Sequence, residues 1–386
     1  MSTFFIDEFW NLLRFAPNDT FYAGQVIGKV QMQGYYESDG ASNFPIMFPY
    51  IRMNVRKDTI IRANSLFEEK MGTRHNNSGA LATVITKSAS KQTYYTIRLL
   101  VDRKRVDEAF RAYGYFRWVD DVLDAESGSK SEKIAFVDRQ KYLLEACYRR
   151  EIPDDLCKEE WMLVDLVRSD TEKNSGLQSY LRNMMAVMAF DADRRGKVIT
   201  QAELAGYSRA LAIAVTEAMY YFIGHDSPSP NHETRYLAVT AAHITHMLRD
   251  ALDDNEAGYF NVPREYLDIH KLSPQDVESW AHQAWVYQRV KLAQEYFKAG
   301  SKATAQAKSL RCRLAGYAYT ARFEWMLRAI QRDHYRLRSK YPERKSLWAG
   351  LWIGWKALSS MLASFGTKAE TPTLVVQPLR IKSYEK

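Results

Sequence analysis

Two short segments of the chain concentrate carboxylates at helical spacing. RWVDDVLD holds Arg117, Asp120, Asp121 and Asp124, and HITHMLRDALDD holds His243, His246, Arg249, Asp250, Asp253 and Asp254. In each, two aspartates stand four residues apart, so on a helix their carboxylates project from one face about a turn apart. Like charges at that spacing destabilise an isolated helix, and repeating the pattern within apolar helices asks for a compensating cation. Hard oxygen donors from one or two carboxylates, with positions left for water and phosphate, suit Mg²⁺, Mn²⁺ being the alternative. Asp120, Asp121, Asp124, Asp250, Asp253 and Asp254 are the candidate metal ligands. Metal ions between two facing clusters would bind a diphosphate, with Arg117 and Arg249 adding phosphate contacts. One acidic pair alone ordinarily lines a solvated helix face; the matched repetition, with an arginine beside each pair, is what points to metal. A di-iron carboxylate bundle needs Glu-x-x-His pairs, and the sequence has none.

The elements that must position these groups read as helices. No proline lies between Pro49 and Pro153, between Pro153 and Pro228, or between Pro274 and Pro342, and proline-free stretches rich in Ala, Leu, Arg, Glu and Met suit helix. Apolar residues recur at three- and four-residue spacing, as in Leu99, Val106, Phe110, Tyr113, Phe116 and Val119, and in Leu204, Leu211, Val215 and Met219. A mostly helical body is expected from about Lys91 to about Tyr341, with Ser273 as a helix N-cap. Residues 81–345 form the expected catalytic domain. Residues 1–80 are an N-terminal extension with no assigned role: a helix is expected over Phe5–Phe15, a hairpin or ordered loop over Tyr22–Tyr36, and a connector at His75–Gly79. The 386 residues are 46% hydrophobic and 26% charged, which excludes a disordered or collagen-like chain. Three cysteines, at spacings that fit no zinc site, point to a reducing compartment. The N-terminus lacks a basic segment before its apolar residues, so it does not read as a secretory signal, and a cytoplasmic location is expected.

The net charge of +8 is not spread evenly. Between Arg311 and Lys345 there are ten basic residues against three acidic ones. LWAGLWIGWKALSSMLASF, Leu347–Phe365, follows with three tryptophans and the single charge Lys356. As a helix it would run about 28 Å, the lower limit for crossing a bilayer. A basic stretch before a Trp-rich apolar helix suits a peripheral position on a membrane surface, and burial against the body is the alternative. Residues 346–386 are set apart as this helix and a tail. The local basic excess comes with no recognition motif, so nucleic acid is not expected as a partner.

RWVDDVLD and LRDALDDNEAGYFNVPREYL resemble the two aspartate-rich motifs of the squalene and phytoene synthase family. That family's second motif runs Arg-Asp-x-x-x-Asp, then Gly, then Pro-x-Glu; here these are Arg249, Asp250, Asp254, Gly258, Pro263 and Glu265. SKQTYYTIRLL resembles the family's flap segment, Ser90 and Lys91 matching and Gln92 and Thr93 not. The resemblance spans about Ser90 to Tyr341. It implies an all-α isoprenoid synthase fold, a helical bundle around a central cavity. It also implies Mg²⁺-dependent condensation of two prenyl diphosphates, farnesyl or geranylgeranyl, head-to-head with release of diphosphate. NADPH use and oligomeric state are left open. Asp120, Asp124, Asp250 and Asp254 would be the catalytic metal-binding set, Lys91, Arg117 and Arg249 the diphosphate-binding set, and Tyr207 a proton carrier for released diphosphate or a structural hydrogen-bond donor.

Several positions depart from the family pattern. In its Tyr-x-x-Tyr-Val-Ala-Gly-x-x-Gly helix, Tyr207 is kept, while Ala210, Ile213 and Thr216 replace a tyrosine and both glycines, narrowing the space beside the helix. His243 and His246 stand where Gln and Asn usually precede Arg-Asp, and Tyr259 where a basic residue is common. The narrowed space would favour a terpene cyclase acting on a single prenyl diphosphate. The altered histidines and Tyr259 leave room for a silent family member acting as an assembly or binding protein, against which the four retained aspartates weigh.

Overall fold

The structure is a computed structural model that describes residues 78–125, 128–225 and 232–364. The expected helix over Phe5–Phe15, the hairpin or loop over Tyr22–Tyr36 and the tail beyond Ser364 lie outside these residues. Among the described residues there are twelve α-helices and no strand, the single parallel bridge between Val198 and Phe260 apart. They are α1 (Ser78–Ala89), α2 (Lys91–Leu100), α3 (Val106–Asp124), α4 (Lys130–Tyr148), α5 (Glu160–Ser169), α6 (Gly176–Arg194), α7 (Gln201–Phe222), α8 (Leu237–Glu256), α9 (Arg264–His270), α10 (Trp280–Ala305), α11 (Leu310–Arg332) and α12 (Leu347–Ser364).

Local chemistry sets the helix starts. Ser129 with Glu132 and Thr200 with Glu203 form reciprocal capping boxes at α4 and α7, and Ser90, Ser175, Ser279 and Ser309 each accept a backbone N–H at a helix N-terminus. Ser273 is not a cap. Its own N–H donates to the Asp276 carboxylate in a turn after which α10 starts at Trp280, because Ser279 is free to cap and Pro274 favours the turn. Helix also begins earlier than expected, so Ser78 and Gly79 belong to α1 and not to a connector.

α6 packs on α7, α8 on α10, and α1 on α3, around one continuous core that includes Phe110, Tyr113, Phe116, Tyr180, Phe222 and Phe297. α8, which carries the second aspartate motif, lies against α7, α10 and α11. A Cβ on Gly300 of α10 would stand 2.5 Å from the Ala238 backbone nitrogen, so α8 and α10 cross where only glycine fits.

α12 lies along α11. Ala349 and Ala357 are buried, Ala357 against Tyr317 and Ala318. Trp352 packs on Trp325 with ring centroids 5.4 Å apart, and Lys356 turns to Glu324 at 3.5 Å. The opposite side shows Leu347, Trp348, Leu351, Trp355, Leu358 and Leu362 to solvent. No helix among the described residues is long and apolar enough to cross a membrane.

Candidate active site

The first motif closes α3. Asp120 is fully buried, while Asp124, one turn on at the end of the helix, reaches a cavity of about 150 Å³. Arg117 donates to Asp121 at 2.6 Å. The cavity is lined by Asp124, Gly128, Lys130 and Lys133 on one side and by Asp191, Arg195 and Tyr259 on the other. Those last three come from the end of α6, the turn after it, and the loop that follows α8.

The second motif occupies the last turns of α8. Arg249 clasps Asp250 through Nε and Nη2, both at 2.6 Å, and His246 Nε2 lies 3.1 Å from the same carboxylate. Burial alone would raise the Asp250 pKa, but His246 and Arg249 hold it well below the usual carboxylate range. Asp254 is buried and accepts from Asn261 at 2.9 Å; burial and the neighbouring Asp250 charge push it well above that range. Asp253 is exposed, and burial of part of the side chain together with Asp250 raises it. The two carboxyls, a turn apart, are thus pushed in opposite directions by their surroundings.

A buried chain of hydrogen bonds joins cavity and motif. Tyr207 Oη donates to Asp191 at 3.0 Å, Arg194 Nε donates to the other Asp191 oxygen at 2.8 Å, and Arg194 Nη1 donates to Asn261 Oδ1 at 3.0 Å. Asn261 completes the path to Asp254. Tyr207 is stacked on Phe190 and edge-on to His243, and burial and the Asp191 charge push its phenol far up, so it holds its proton at neutral pH. His243 shares a 3.0 Å hydrogen bond with Ser208, and burial above all keeps the imidazole neutral. Nearby on α10, Arg289 is almost wholly buried, its Nε finds no hydrogen-bond partner, and burial brings its pKa down to about 10.

The end of α3 and the loop that follows α8 therefore meet at one cavity. Lys133 Nζ donates to the Ala125 carbonyl that caps α3, and Arg195 Nε donates to the Ala257 carbonyl that caps α8. Asp124 faces the cavity directly and Asp254 is reached through Asn261 and Arg194, whereas Asp120, Asp121, Asp250 and Asp253 do not line it. Lys91 is exposed in the first turn of α2, with no ion pair to either motif. Among the described residues no three His, Cys, Asp or Glu side chains stand close enough to hold a metal ion together. The donors at the cavity, Asp124 and Asp191, are hard oxygens, which fits Mg²⁺, an ion that keeps several waters and needs only one or two carboxylates.

Asp191, Arg194, Arg195, Lys133 and Asn261 are members of this site that motif spacing does not reveal. A signal for two of them exists: Met184, Val187, Met188, Asp191 and Arg194 follow the buried three- and four-residue rhythm of α6, which puts an acid and a base on the inner face.

Residues 86–348 match the family described as squalene/phytoene synthase. A presqualene diphosphate synthase of Zymomonas mobilis is 26% identical over 199 residues, which cover 50% of this chain and 63% of that protein's length. The squalene synthase HpnC from Alicyclobacillus acidocaldarius superposes with a TM-score of 0.56 at 18% identity, over 68% of this chain and 95% of HpnC. That likeness shows the fold, the all-α isoprenoid synthase arrangement.

Proposed function

Because the chain belongs to the squalene/phytoene synthase family, we propose that it is a Mg²⁺-dependent prenyltransferase that joins two prenyl diphosphates head-to-head and releases diphosphate. The observation that carries this reading is that the end of the first aspartate helix and the loop after the second border one cavity that holds both carboxylates and cations. Asp124 and Asp191 would hold the metal on the cavity side, with Asp120, Asp250 and Asp254 behind them. Bound Mg²⁺ would neutralise the charge that develops on the leaving diphosphate. Arg194 and Asn261 orient Asp254, and Tyr207 fixes Asp191 while keeping its own proton at neutral pH. Presqualene diphosphate, the product in the relative's name, is the chain-doubled species to look for first.

One observation favours a second reading. Thr216 is buried on α7 and borders a space of only about 20 Å³ among α7, α8, α10 and α11, room for about one water. With Thr216 filling the space beside α7, less room is left there for a second prenyl chain, which favours cyclisation of a single prenyl diphosphate. Incubation of the full chain with Mg²⁺ and farnesyl or geranylgeranyl diphosphate, with and without NADPH, decides between the two. Chain-doubled product supports condensation, a cyclic single-chain product supports the second reading, and absence of diphosphate release from either substrate sinks both.

The exposed row of α12 supports a peripheral position on lipid. Trp348 and Trp355 are 76% and 70% exposed, and on the adjoining helix Arg328 and Arg332 are exposed as well. Tryptophan at the interface with cations beside it matches an anionic bilayer surface. Co-sedimentation with phosphatidylglycerol vesicles should be lost in a W348S/W355S variant; unchanged sedimentation would remove this assignment.

A further inference from the structure

Two of the three cations expected to hold diphosphate are engaged by carboxylates. Arg117 is bonded to Asp121 and Arg249 to Asp250, each at 2.6 Å and each within its own motif, while Lys91 stands exposed on α2. Lys130, at the rim of the cavity, is tied to Asp193. Two cavity cations differ from all of these. Among the described residues, neither Lys133 nor Arg195 pairs with a carboxylate, and each donates to a main-chain carbonyl, at 2.8 and 3.1 Å. Two cations that line one cavity are a place for an anion. Their present acceptors are neutral carbonyls at helix C-termini, which water can satisfy when the side chains swing away.

The identity of residue 259 adds to this. The family pattern places a basic residue directly after Gly258, and this chain has Tyr259, whose ring lines the same cavity under the Arg194 guanidinium at 5.1 Å. The turn at Arg195 and Gly196 runs beside that loop, with Gly196 N–H bonded to the Gly258 carbonyl at 2.8 Å. A cation is therefore delivered to the same wall from the end of α6.

We propose that Lys133 and Arg195 form the clamp that binds the diphosphate group of the substrate, Arg195 supplying from α6 the charge that position 259 does not. This assignment rests on the prenyl diphosphate reading given above. The guanidinium offers paired donors to phosphate oxygens and the ammonium a point charge opposite, while Asp124 and Asp191 face the same space from the metal side.

Isothermal titration of the full chain with inorganic pyrophosphate, with and without Mg²⁺, tests the clamp. The variants are K133Q and R195Q, whose amides can still bond the Ala125 and Ala257 carbonyls, and the control is K308Q at an exposed site. Each clamp variant should bind pyrophosphate at least about tenfold more weakly with its thermal midpoint unchanged, R195K should recover part of the loss, and K308Q should match the parent. Tight binding by the parent with K133Q and R195Q within twofold of it would overturn the clamp and leave the prenyl diphosphate reading standing. Absence of pyrophosphate binding by the parent under both conditions would overturn both.

Discussion

Replacement of Asp191 by alanine probes the buried path between cavity and second motif. Arg194 and Asp191 pair at 2.8 Å with side chains only 2% and 6% exposed, and Tyr207 donates to the second oxygen. Removing the acid strands the guanidinium in the interior and takes the acceptor from the phenol. Breaking a buried pair on one side costs about 3–5 kcal/mol. The unsatisfied hydroxyl would add about 1–3 kcal/mol, less whatever a water entering the vacated space restores, so D191A should lose about 4 kcal/mol. D193A, two residues further on, loses only exposed pairs with Lys130 and Lys197 and should change by less than about 1 kcal/mol. Urea unfolding at neutral pH, followed by far-UV circular dichroism, reads both. A D191L/R194M double variant should be more stable than D191A, because the stranded charge is gone. A D191A loss no larger than that of D193A, or a double variant worse than the single, would refute the view that this pair holds the site together.

Three further outcomes follow from the structure. Asp124→Asn and Asp250→Asn should each bring diphosphate release to background with circular dichroism unchanged; activity in both would dissociate the motifs from catalysis. His282, buried near the start of α10, has its pKa pushed from 6.5 down to about 4 by burial, and His243 is lowered in the same direction. The unfolded chain binds these protons more readily, so the stabilisation is complete above pH 6.5 and is lost as pH falls towards 4. For His282 that gap is worth about 3 kcal/mol at 1.36 kcal/mol per decade, and His282→Gln should flatten the fall in urea midpoint between pH 7 and 4. Gly300→Ala should cost about 1–3 kcal/mol through overpacking against Ala238, and an unchanged thermal midpoint would show that α10 yields freely there.

The helical body, the two motifs and the amphipathic C-terminal helix were legible because each rests on spacing within one segment. α12 shows why that signal is incomplete: its apolar residues mark a helix, but which of its faces meets α11 is decided by Trp325, Glu324 and Tyr317 on another element. Ser273 carried the right chemistry for a cap and lost to Ser279, a competition that propensity alone does not settle. Asp191 and Arg195 are separated from the second motif by about sixty residues, and DADRR at the end of α6 looks like any solvated helix terminus until α8 and its loop are placed beside it. Arg117 and Arg249 stand beside carboxylates as the motif spacing implied, each bonded to one within its own motif, whereas Lys133 and Arg195 belong to no motif and are visible only once the cavity is formed.

The glycine crossing between α8 and α10 also has a mechanical side. Gly300 meets α8 at Ala238, next to its first residue, while Asp250 lies twelve residues further along, about 18 Å at 1.5 Å per residue. α8 is thus a lever pinned near one end with its aspartate motif near the other. A pivot of about 3° at the crossing would swing Asp250 through about 1 Å over that length, a displacement large enough to cost about a hundredfold in rate where groups must be aligned. A side chain added at position 300 would then be felt first as misalignment at the far end of α8, before it was felt as lost stability.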